Sequence, residues 1–174
     1  MLTIPMGNRG LLLTLTEPPP HMEDEFNAWY DTEHLPERLS IPGFRSARRW
    51  VADCKPGEGK YLATYELESP AVLVSPAYLA FFEKPTPWTK RCLEKAVVFR
   101  RWACEQTRPG NAEPHAHAKA VVAVFEEQAF SIPAVLQTRS FLASAGEPRH
   151  VAIYELADAN AVLPGTFRIY RAYV

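Results

Sequence analysis

The chain has 174 residues, 47% of them apolar, and a formal charge of −1 at neutral pH. That content buries a real core as one domain or as two fused half-size units, and the near-neutral charge excludes the clustered Lys and Arg of a nucleic-acid surface. No stretch reaches the roughly 20 apolar residues of a membrane-crossing helix and no targeting signal marks the N-terminus; the three cysteines, Cys54, Cys92 and Cys104, lack disulfide-framework or zinc-knuckle spacing, so a cytoplasmic protein without nucleic-acid or membrane partners is expected.

Arg9–Glu17 is a short apolar, β-compatible run that stops at Pro18, Pro19 and Pro20, which cannot continue a ladder. From His21 the spacing becomes helical, with Glu23, Asp24 and Glu25 suited to the positive end of the helix dipole. Phe26, Tyr30 and His34 follow at four-residue steps and share a face, with Trp29 and Glu33 on the adjoining row. Pro36 lacks an N–H and crowds the preceding turn, so a kink or break is expected near His34 and Leu35. After the turn at Pro42-Gly43, alternation predicts a strand in which Phe44, Ser46, Arg48, Trp50 and Ala52 face one way and Arg45, Ala47, Arg49 and Val51 the other. A Gly-containing loop then leads to a second strand that aligns Tyr61, Ala63, Tyr65 and Leu67, completing a hairpin. Ser69-Pro70 and Thr86-Pro87 are helix-start signals for two further helical segments, and VVFRRWACEQ closes the unit as a fourth strand.

The order βαββαβ is that of a ferredoxin-like unit, two helices over one face of a four-stranded antiparallel sheet. Residues 108–118 are polar, contain Gly and Pro, and read as a flexible linker between a complete half, 1–107, and a second half, 119–174. Ile132 to Leu163 can be laid beside Ile41 to Leu73 at an offset of roughly ninety residues: Arg139 falls on Arg48, Phe141 on Trp50 and Tyr154 on Tyr65. AKAVVAVFEEQ and TFRIYRAYV then stand for the first and fourth strands. The second copy has no room for the helix of residues 21–40, which leaves it nearly a bare sheet. An uncovered apolar sheet is an association liability, so a homodimer is expected to cover it.

The segment FNAWYDTEHLPERLSIPGFRSARRW, with TPWTKR at Thr86 to Arg91, resembles EthD-like members of the dimeric α/β-barrel superfamily. The resemblance implies an α+β fold in which two ferredoxin-like sheets pack as a barrel, here with both halves in one chain and the second degenerate. The superfamily includes cofactor-free monooxygenases, polyketide cyclases, lactone isomerases and haem enzymes, and its pockets often lie between the helices and the sheet of one unit. On that basis His34 would look inward and transfer protons, being acid or base near neutral pH. Tyr30 would donate to a substrate oxygen or orient the imidazole ring, and Arg48 or Arg49 would stabilise an enolate or carboxylate. Trp29, Trp50, Trp88 and the Phe81-Phe82 pair would wall an apolar pocket for a small organic molecule. Nothing in the sequence requires haem, a metal or another cofactor; His115 and His117 have no further ligand at useful spacing. The alternative is a non-catalytic binding or assembly protein in which these side chains only pack.

Overall fold

The computed structural model describes residues 7–174; residues 1–6, on which part of the N-terminal targeting reading rests, lie outside it. The first half runs β1 (Gly10–Glu17), α1 (Glu23–Trp29), α2 (Leu35–Leu39), β2 (Phe44–Val51), β3 (Tyr61–Leu67), α3 (Pro76–Glu83), α4 (Pro87–Lys95) and β4 (Val98–Arg108). The second runs β5 (Ala120–Val124), β6 (Val135–Ala145), β7 (His150–Leu156) and β8 (Tyr170–Ala172). All pairs are antiparallel and the strands close into one barrel in the order β1-β3-β2-β8-β5-β7-β6-β4. Within each half the fourth strand pairs with the first, the first with the third and the third with the second, so the two halves share one strand order. They join edge to edge at β2·β8 and β4·β6, and their inner faces meet across the interior.

Alternation sorts the side chains into layers. Leu11, Leu13, Leu15, Trp50, Trp102, Phe141 and Ile153 fill the barrel from both halves. Leu12, Tyr61, Ala63, Tyr65 and Leu67 point outward to Phe26, Trp29, Tyr30, Tyr78 and Cys92 on the helices. A bulge between Phe44 and Ser46 sends Phe44 to the helical layer, whereas simple alternation puts it on the face of Arg48 and Trp50; one extra residue reverses every side chain on its near side.

A buried ion cluster spans the interior. Arg139 donates to Glu66 through Nη1 and Nη2 at 2.9 Å each, and to Glu155 at 3.1 Å. Beside it remains a void of only about 10 Å3, so the barrel is a packed core rather than a channel. Residues 108–118, expected to be flexible, are tied across this end. The Gln106 carboxamide accepts from the Gly110 and Ala112 N–H groups, Glu113 pairs with Arg9 and Arg45, and the His115 N–H donates to Glu155.

The second half has no helix among the described residues, as its short connections require. Its outer face is not bare, however: Phe130, Ala159, Leu163, Phe167 and Ile169, all in connecting segments, pack on Val122, Val124, Tyr154 and Leu156. The surface that motivated a homodimer is covered from within the chain. The same packing shortens the last strand from the nine residues expected to Tyr170–Ala172, because Phe167 and Ile169 turn onto that face instead of continuing the ladder. No helix among the described residues is long and apolar enough to cross a membrane.

Candidate functional site

The helix that carries the aromatic and histidine row does not break at Pro36. Between α1 and α2 it widens into one π turn, Tyr30–His34, in which the Leu35 N–H reaches back to the Tyr30 carbonyl. A π turn absorbs the proline because a wider ring leaves space where the pyrrolidine would meet the preceding turn. The helix therefore runs on, and Trp29, Tyr30, His34 and Arg38 are all buried toward the sheet.

Between this helix, α3, α4 and the outer face of the first-half sheet lies a cavity of about 200 Å3. An engineered cavity of about 150 Å3 admits benzene in another protein, so this volume suits one substituted ring or two small fused rings. Its walls are Leu12, Trp29, Phe81, Phe82, Leu93 and Phe99, and its polar groups come from Thr14, Tyr30, His34, Arg38, Tyr65 and Arg101. No carboxylate among the described residues lines it.

His34 is 8% exposed, stacks on Trp29 with ring centres 4.5 Å apart and meets Tyr30 edge-on at 5.0 Å. Its Nδ1 is buried without a hydrogen-bond partner. Burial, reinforced by the positive charges of Arg38 and Arg49, lowers its pKa to about 3, so the ring is neutral at physiological pH. The Tyr30 hydroxyl lies 2.8 Å from that of Tyr65 and 3.2 Å from Thr14 Oγ1, which makes a three-hydroxyl chain along the cavity wall. Burial raises both phenol pKa values, so both stay protonated. Trp29 is fixed by donation from Nε1 to Thr89, and Thr89 belongs to the turn capped by Thr86.

Of the residues expected in the site, Trp29, Tyr30, His34, Phe81 and Phe82 line the cavity. Arg48 and Trp50 do not: they point into the barrel on the opposite side of the sheet, where Arg48 lies over the Trp50 ring at 4.2 Å and donates to the Ala118 carbonyl. Arg49 is on the helical side but outside the cavity, held between the Tyr30 and Tyr173 rings at 4.3 and 4.2 Å and bonded to Asp31 and Asn27. It supports Tyr30 from behind. Trp88 packs on the helical layer and does not line the cavity.

The sequence reading missed Arg38, Arg101, Tyr65 and Thr14 as site groups. Arg38 is four residues beyond His34 and so shares its helical face. Arg101 is two beyond Phe99 on β4, on the same side of the sheet. Both spacings were available as signals.

The cavity does not fit a haem or metal centre. Its volume is near that needed for a single ring, and His34 Nδ1 lacks the acceptor that orients a ligating imidazole. Among the described residues no group of three or more His, Cys, Asp or Glu is placed to hold a metal.

No protein-family model matches the chain, and no curated protein sequence matches it either. Solved structures do match over nearly its whole length. An anthrone oxidase-like protein superposes with a TM-score of 0.59 at 11% identity, covering 97% of this chain and 92% of its own. A chlorite dismutase-like protein superposes with a TM-score of 0.53 at 9% identity, covering 97% and 96%. At such identities the likeness shows the fold: an α+β chain with an eight-stranded antiparallel barrel of the dimeric α/β-barrel type.

Proposed function

We propose that this chain is an EthD-like member of the dimeric α/β-barrel superfamily, formed by internal duplication, and that its helix-covered cavity binds a small, flat, oxygenated compound. His34 transfers a proton on that compound without a cofactor, in an isomerisation or cyclisation. The matching strand order of the two halves supports the duplication. One observation carries the function: an imidazole with an unpartnered Nδ1 stands in an apolar cavity beside the Thr14–Tyr30–Tyr65 hydroxyl chain.

In this reading the neutral ring of His34 takes a proton from a carbon next to a carbonyl. The electron pair moves to the carbonyl oxygen, and the hydroxyl chain or Arg38 stabilises the enolate. Return of the proton to another carbon gives the isomer. A pKa of about 3 makes His34 a weak base in the empty cavity. A developing oxyanion opposes the charges of Arg38 and Arg49 and so raises that pKa as the transition state is approached.

The test uses cyclic enones, lactones and aryl ketones in deuterated water, with carbon–hydrogen exchange followed by NMR. The wild type should accelerate exchange of at least one, and His34→Gln should lose a factor of about 10²–10⁴ while keeping its fold. Equal exchange by the variant removes His34 from catalysis. A second reading, binding without catalysis, is favoured by the depressed pKa of His34; it predicts ligand binding with no exchange by either protein.

A further inference from the structure

The cavity carries more positive charge than the protein neutralises. Three arginines among the described residues are buried: Arg38, Arg49 and Arg139. Arg49 is paired with Asp31, and Arg139 with Glu66 and Glu155. Arg38, 8% exposed, pairs with no carboxylate among the described residues, and its Nη1 has no hydrogen-bond partner among them. Its sequence neighbour Glu37 feels its charge but lies beyond ion-pair distance. The guanidinium rests instead on the Tyr78 and Phe81 rings, 5.5 and 5.7 Å from their centres. Ring faces compensate a buried cation in part, but they offer no lone pair to a free N–H.

A second guanidinium approaches from the sheet. Arg101 lies 5.8 Å from the centre of the same Tyr78 ring and 5.4 Å from that of Phe82, and donates to the Tyr78 hydroxyl at 2.8 Å. It too lines the cavity and pairs with no carboxylate among the described residues. Two guanidiniums without a carboxylate partner, both against Tyr78 and both lining one apolar-walled cavity, are an arrangement that a bound anion completes, because a charge-assisted bond in a desolvated site is strong only when both partners are present.

We infer that the preferred ligand is an organic anion, a flat one- or two-ring molecule whose carboxylate or ionised phenol or enol oxygen is held by Arg38 with Arg101, and that its neutral analogues bind more weakly. The inference rests on the cavity being the ligand site, as proposed above, and is independent of whether His34 catalyses.

Binding of benzoate and 2-naphthoate is compared with that of benzamide and 2-naphthamide, which have the same shapes without the charge, by isothermal calorimetry. At least one acid should bind roughly tenfold or more tightly than its amide. R38M, which keeps length and apolarity, should remove most of that difference; R101M, at a partly exposed position, should reduce it and serves if R38M does not fold. A second arm uses 4-nitrophenol near its own pKa: a cavity that selects the ionised oxygen increases the phenolate absorbance on binding, and phenolate capture without carboxylate capture identifies the oxygen type. Acid and amide binding equally, a difference unchanged in both variants, or no binding of any acid or phenolate at millimolar concentration would overturn the inference. If that happens while ketone exchange still depends on His34, the proton-transfer site stands and only the anion is wrong.

Discussion

Protonation of His34 works against the fold. The ring has a pKa of about 3 when folded and about 6.5 when unfolded. Below about 6.5 the unfolded chain therefore binds a proton that the folded chain does not, and stability falls as the pH falls toward 3, by about 1.4 kcal/mol per pH unit. Above that window the group has no effect. His34→Gln should flatten this part of the stability profile, and urea titrations at about pH 7 and about pH 4 measure it; an unchanged slope would mean that the imidazole is more accessible than its burial indicates. Tyr30 gives a second, smaller effect. Tyr30→Phe removes the middle of the three-hydroxyl chain and leaves Tyr65 and Thr14 each short of one partner, for an expected loss of about 1 kcal/mol.

At the scale of elements, the site depends on how α4 and the widened helix are fixed to each other. Thr86 caps α4 by accepting from the Thr89 N–H and donates to Glu33 at 2.7 Å, while Thr89 accepts from Trp29 in the cavity wall. Thr86→Ala should cost about 1 kcal/mol of stability through the lost cap and also loosen Trp29, read as a change in tryptophan fluorescence. An unaltered denaturation midpoint would place the support elsewhere. The π turn matters for a different reason. It sets His34 and Arg38 on the cavity side despite Pro36, and four-residue spacing made their shared face legible. What the spacing did not reveal was whether the chain would break at the proline or accommodate it, since that depends on how the turn packs over the sheet.

For the whole molecule, the barrel interior is where a single change does most damage. Arg139→Met leaves the buried carboxylates of Glu66 and Glu155 without their cation, and the expected loss is about 3–5 kcal/mol, measured by denaturant unfolding. The covered face of the second half leads to another outcome. Phe130 and Phe167 meet edge-on at 5.0 Å over that sheet, so replacing both with Ala should expose it and raise the apparent mass in light scattering. If the double variant scatters like the wild type, the loops are not what keeps that surface from associating.

Local chemistry determined much of this protein. Prolines and glycines placed the strand and helix ends, alternation placed Tyr61, Ala63, Tyr65 and Leu67 on one face, and four-residue steps put Tyr30 and His34 together, because such features depend only on backbone sterics and on the repeat of each element. Which side of the sheet Arg48 and Arg49 occupy was decided by tertiary structure, since a single bulge and the choice of covered face fix orientation for a whole strand. So was the covering of the helix-poor half by its own loops. The uncompensated charge of Arg38 also emerged only from packing: a guanidinium lacks a partner by virtue of everything that surrounds it, and no stretch of sequence contains that information.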